Sequence, residues 1–178
     1  METGRSIFLI GPMGSGKSAV GKRLAARLHR AFHDSDHEIE RRTGVDVSYV
    51  FEKEGEAGFR RRESEVIDEL TRLEDVVLAT GGGAVLDPMN RRHLSERGYV
   101  VYLEASVEQQ FGRTRSGKSR PLLAGEDRRA KLAELMSVRE PLYRAIADYC
   151  VHTDGRRVDA VASEVEQHWR RHSMRDHD

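Results

Sequence analysis

The stretch SIFLIGPMGSGKSAVGKRL, residues 6–24, constrains the fold of this 178-residue chain more than any other. Five residues without a charge run into a glycine-rich loop. A helical pattern follows from about Lys17, with Val20, Leu24 and Leu28 on one face at i, i+4 spacing. A strand that is apolar along its length, rather than alternating, is buried on both faces; such strands belong to parallel sheets covered by helices on either side. The loop itself, Gly11 to Ser18, spells G-x-x-x-x-G-K-S. Between a strand and a helix, such a loop turns its N–H groups and the helix N-terminus into an anion nest. The motif therefore predicts a nucleotide cradle built from Gly14, Ser15, Gly16, Lys17, Ser18 and Ala19, for ATP or GTP. Lys17 reaches the β- and γ-phosphates and the Ser18 hydroxyl ligates Mg²⁺.

The pattern repeats downstream. AFHD (31–34), VVLA (76–79) and YVVYL (99–103) read as further strands, with YCVH (149–152) a weaker one. Helices are predicted from Ser35 to Arg42, over most of 47–73, near 88–97, up to about Ala147, and again through Val158, Val161, Val165 and Trp169. Ser35 and Glu38 fit a capping box for the second helix. Val66, Ile67, Leu70 and Leu73 form an apolar stripe on the third. Strands alternating with helices over one domain-sized chain predict a three-layer α/β domain spanning residues 1–178. The tail from about His168 is expected to fray.

Acidic and basic residues balance at 30 each, so no overall field draws the protein to nucleic acid or to a membrane surface. Only five of the basic residues are lysine. The arginine excess suits bidentate recognition of carboxylates and phosphates. A single cysteine, Cys150, excludes an internal disulfide and fits a reducing compartment, so a cytoplasmic protein is expected. Cys150 itself reads as a small buried hydrophobe.

Several residues stand out against this background. Asp34 and Asp36 flank Ser35 and, in extended backbone, share a face. They serve either helix-dipole stabilisation or a metal and a substrate hydroxyl. Arg60, beside Phe59, has Glu63 three residues on: either an anion-binding arginine oriented by a carboxylate, or a solvated ion pair. Arg139 precedes Pro141, which is expected to kink a long helix and fix where the arginine points. Arg113 and Arg120 bracket a basic, glycine-containing segment that reads as a lid over about 113–125. His168 and His172 stand at i, i+4 but lack a third ligand nearby, which argues against a metal there. Finally, Gly81, Gly82 and Gly83 end the strand VVLA, where missing side chains let main-chain N–H groups approach a small polar ligand.

In order along the chain, GPMGSGKS, DSD, GEAGFRRRE, GGGAV, RTRSGKSRPLL and REPLY resemble the shikimate kinases, small P-loop kinases of aromatic amino-acid biosynthesis. The resemblance runs from about Ser6 to His152 and implies a five-stranded parallel sheet in the order 2-3-1-4-5, with a lid and a substrate-binding helical region at about 36–62. It implies ATP, shikimate and Mg²⁺ as ligands, and a monomer. Position by position, it gives the phosphates to Lys17, the metal to Ser18 and Asp34, and the ring hydroxyls to Asp36. Arg60 and Arg139 clamp the carboxylate, with Glu63 orienting Arg60, and Gly81, Gly82 and Gly83 line the pocket. Arg120 closes onto the phosphates and Arg113 sits near the adenine. Whether Asp36 removes the hydroxyl proton or only orients the hydroxyl stays open. A kinase for another acidic polyol such as gluconate, or a non-catalytic nucleotide-binding regulator, are the competing readings.

Overall fold

A computed structural model describes residues 4–114 and 127–175. Five parallel strands, β1 (Ser6–Ile10), β2 (Ala31–Asp34), β3 (Val76–Ala79), β4 (Gly98–Glu104) and β5 (Tyr149–His152), form one sheet in the order β2-β3-β1-β4-β5. The order is the one the resemblance implied. Register follows directly: Phe8 lies beside Leu78 on one side and Val100 on the other.

Strand periodicity splits the core into two layers. Phe8, Ile10, Leu78, Val100 and Tyr102 pack on one face against α2 (Ser35–Thr43), α3 (Val47–Leu70), α4 (Pro88–Arg97) and α6 (Arg128–Ile146). Ile7, Leu9, Val77, Val101 and Leu103 pack on the other, against α1 (Lys17–Leu28) and α7 (Val158–Arg175). Ile7 to Ile10 are fully buried, each contributing about 1.5–3 kcal/mol of transfer free energy. The all-apolar run therefore reports a central strand.

Aspartates cap most of these helices. Asp46, Asp87 and Asp127 accept backbone N–H groups at the starts of α3, α4 and α6, and Pro88 opens α4 with its φ already set. Helix α1 differs: its N-cap, Gly16, has φ 87° and provides no side-chain cap, so the helix end is left open for an anion.

Several expectations change. The second helix is capped by Asp34, whose carboxylate accepts from the amides of Asp36 and His37. The Ser35–Glu38 box does not form; Glu38 instead takes Arg41 and Arg42, and Asp36 sits in a helix rather than in extended backbone. Helix α3 ends at Leu70 and is broken at Gly55, which has φ 71° and ψ 178°; Leu73 lies outside it, exposed. Helix α6 does run through Pro141 to Ile146, close to its expected end near Ala147. A short helix, α5 (Val107–Arg113), occupies a stretch that offered no periodic signal. Helix α7 continues past His168 to Arg175 because Trp169 is buried, its indole donating to Arg5 O and stacking under Arg30. His168 stacks on Tyr149 and His172 packs at a tilt against Tyr99, and no cluster of three potential metal ligands occurs among the described residues.

Candidate active site

The C-terminal ends of β1, β2 and β3 open into one cavity of about 510 Å³. Strands β1 and β3 are neighbours, so the loops after Ile10 and Ala79 face each other across it. The first is the P-loop. Gly14 and Gly16 take positive φ there, 78° and 87°, which a Cβ would disfavour. Lys17 is buried and folds back, its ammonium donating to Gly11 O at 2.6 Å and Pro12 O at 2.8 Å. Gly14, Gly16, Lys17, Ser18 and Ala19 line the cavity; Ser15 is buried beneath the loop. Arg113, at the end of α5, lies across the loop with Nη1 donating to Gly14 O at 3.1 Å. Arg120 and most of the expected lid lie outside the described residues.

Asp34 joins this loop to the next element. One carboxylate oxygen accepts from the Ser18 hydroxyl at 2.6 Å, while the other caps α2. A hydroxyl and a carboxylate side by side at a helix N-terminus are hard oxygen donors, and a donating Ser18 keeps its oxygen lone pairs available.

Asp36, two residues on, points at the glycine triplet. A Cβ on Gly81 would stand 2.8 Å from both Asp36 Oδ1 and Glu63 Oε2, so two carboxylates meet over this residue. The Gly81 amide donates to the Ser35 hydroxyl, which ties α2 to the end of β3. Burial pushes the Asp36 carboxyl up to about 7, reinforced by repulsion from Glu63 and Asp34 and opposed by Lys17 and Arg60. Burial also raises Glu63, although Arg60 pulls it back.

Arg60 is not a solvated ion pair. Glu63 is 1% exposed, and its Oε1 receives Arg60 Nη1 at 2.8 Å. A side chain at Gly83 would collide with the Arg60 guanidinium, so the glycine is what lets the arginine lie there. Arg139, 3% exposed on α6, comes within 3.4 Å of where a Gly82 Cβ would be. Its burial lowers its proton affinity. Asp36 Oδ1, Glu63 Oε2, Arg60 Nε and Arg139 Nε are all buried and lack a hydrogen-bond partner. Two unmet acceptors and two unmet donors converging on one cavity indicate a polar ligand that both donates and accepts hydrogen bonds.

Residues that sequence reasoning did not single out complete the walls. Glu40, Val47 and Phe51 line the side formed by α2 and α3, with Phe51 packed on Phe59 at 4.6 Å between ring centroids. An apolar residue on an amphipathic helix looks the same in sequence whether it faces a core or a ligand. Tyr143 was also missed: fully buried, it donates its hydroxyl to Gly82 O.

The shikimate kinase family model matches residues 13–170. The chain belongs to the shikimate kinase family. A shikimate kinase from Methylococcus capsulatus is 60% identical over 86% of each chain. The solved shikimate kinase from Acinetobacter baumannii in complex with shikimate shares 50% identity and superposes with a TM-score of 0.92 over 93% of each chain. A gluconokinase from Sinorhizobium meliloti, at 17% identity and a TM-score of 0.60, shares the fold alone. The cavity lies between the P-loop and a wall that α3, α6 and the triplet after β3 form, with Arg60 and Arg139 on it.

Proposed function

We infer that this chain transfers the γ-phosphoryl group of ATP to the 3-hydroxyl of shikimate, giving shikimate 3-phosphate and ADP. The observation that carries the site-level reading is the pairing of Arg60 and Arg139 with Asp36 around Gly81, Gly82 and Gly83, directly across from the P-loop. Shikimate is a small anionic polyol. Two guanidinium groups match its carboxylate, and an adjacent carboxylate matches its hydroxyls.

In this reading Gly14, Ser15, Gly16, Lys17, Ser18 and Ala19 hold the phosphates. Lys17 leaves the Gly11 and Pro12 carbonyls to meet the transferring group, and Arg120 adds charge from the lid. Arg113, already over the loop, holds the adenine side. The hard oxygens of Ser18 and Asp34 fit Mg²⁺, which supplies charge neutralisation to the phosphates when bound. Glu63 holds Arg60 against the carboxylate. Asp36 accepts the hydrogen bond of the reacting hydroxyl and aims its oxygen at the phosphorus. Its raised proton affinity suits it to take the proton late, once the new P–O bond is forming. Positioning and electrostatics then do most of the catalysis.

No helix among the described residues is long and apolar enough to cross a membrane. We propose a cytoplasmic monomer: the single cysteine fits a reducing compartment, and the resemblance to the shikimate kinases implies a monomer.

A coupled assay of ADP release with shikimate present and absent tests the reading. Shikimate-dependent release is expected. Turnover of gluconate but not shikimate would replace the substrate, and nucleotide binding without turnover of either would make the protein a regulator.

A further inference from the structure

Tyr143 does not line the cavity, yet it is placed to govern two residues that do, Gly82 and Arg139. Tyr143 sits four residues after Arg139 on α6, so the two side chains share a helix face. It is fully buried, its ring stacked on Tyr102 at 5.0 Å and 24°. From that fixed base its hydroxyl donates to Gly82 O, and the Arg139 guanidinium is hydrogen-bonded to the phenol oxygen itself. A phenol can donate one hydrogen bond and accept another, so the order Arg139, Tyr143, Gly82 is chemically consistent. Burial holds the phenol protonated well above its usual range, which keeps it a donor.

We propose that Tyr143 is a positioning residue for shikimate: its hydroxyl locks the Gly82 carbonyl and the Arg139 guanidinium at one spacing. The consequence reaches the ligand through the peptide plane. In a trans peptide the C=O of residue 82 and the N–H of residue 83 point in opposite directions. Turning the Gly82 carbonyl onto α6 therefore turns the Gly83 amide away from it. Among the described residues neither the Gly82 nor the Gly83 amide has a protein acceptor, so both are available to a bound polyol. With three consecutive glycines this segment has no side chains to hold it, and an outside anchor does that work.

The inference rests on the functional reading above, and one titration series separates the two. Isothermal titration of the full-length wild-type protein with shikimate, and separately with ADP, sets the reference; absence of shikimate binding there would overturn both readings. Tyr143→Phe keeps the ring and its stack and removes only the hydroxyl. The expected result is a roughly 10-fold weaker shikimate Kd, as for one lost hydrogen bond to a charged or fixed partner, with the ADP Kd unchanged within about twofold. In an Arg139→Lys background the same substitution should cost less than about twofold, because the two residues act as a unit. Tyr102→Phe, which removes a hydroxyl from the same stack, should leave shikimate binding as in the wild type. If the free Tyr143→Phe variant is only partly folded, the shikimate titration is run on its ADP complex, which ligand binding stabilises. A wild-type shikimate Kd for Tyr143→Phe, equal weakening of ADP, or additivity with Arg139→Lys would each overturn the proposal and leave the functional reading standing.

Discussion

At the scale of the residue, the cavity contrasts groups that sequence types label identically. The chain has 30 basic residues, yet Arg139, buried, and Arg60, half-buried, differ from most others in lining a ligand-sized space. Arg139→Ala removes a charge-assisted contact, so the KM for shikimate should rise about 10- to 100-fold with that for ATP nearly unchanged. Steady-state kinetics varying each substrate would check this, and an equal loss for ATP would take Arg139 out of the clamp. Asp36→Asn keeps shape but weakens the acceptor for the reacting hydroxyl; kcat should fall about 100-fold or more in a folded protein. Near-normal turnover would remove Asp36 from the catalytic group. The glycines differ among themselves. A Cβ at Gly81 or Gly83 meets the protein's own carboxylates or guanidinium, whereas at Gly82 the nearest atoms stand 3.4 Å away. Gly82→Ala should therefore fold normally, with a wild-type thermal midpoint, and still use shikimate poorly while binding nucleotide as before.

At the scale of the element, helix α2 is attached to the P-loop by one carboxylate. Asp34 caps α2 with one oxygen and receives Ser18 on the other. Asp34→Ala should cost about 1 kcal/mol through loss of the cap, read as a lower urea midpoint. Asp34→Asn retains a capping oxygen and should recover most of that stability. Both variants should need more Mg²⁺ for half-maximal rate; a wild-type magnesium dependence in Asp34→Asn would exclude a metal role. The elements themselves were legible to different degrees. Strands β1, β2, β3 and β5 carry their predicted ends, and β4 runs one residue further each way. The cap of α2 was placed one residue late because Ser35–Glu38 satisfies a local rule that Asp34, with Ser18 to hold it, satisfies better. Helix α5 is too short to show a period, and α7 outlasts its expected end because Trp169 anchors it.

At the scale of the whole molecule, the site places a strained charge in the core, and pH reads it. Asp36 has an ordinary value of 3.8 and about 7 in the fold, so between those values the native state binds more protons than the unfolded chain. Stability should then fall as pH rises from about 4 to 7 and level off above, by linkage. Asp36→Asn should remove that part of the slope in urea titrations at several pH values. A wild-type slope in the variant would mean the carboxyl is not the strained group.

The sequence by itself determined what depends on neighbouring residues: the parallel strands, the open helix end at Gly16, and the phosphate chemistry of Gly11 to Ser18. These are properties of contiguous backbone, whose geometry local residue types dictate. The tertiary structure alone decided which arginine is buried, which carboxyl has its proton affinity raised, and what anchors the glycine triplet. Asp36, Glu63, Gly81 and Arg139 are far apart along the chain, and desolvation and Coulomb forces depend on distance in space. The glycines after β3 signalled that something comes close; only the fold placed Arg60, Arg139 and Tyr143 there.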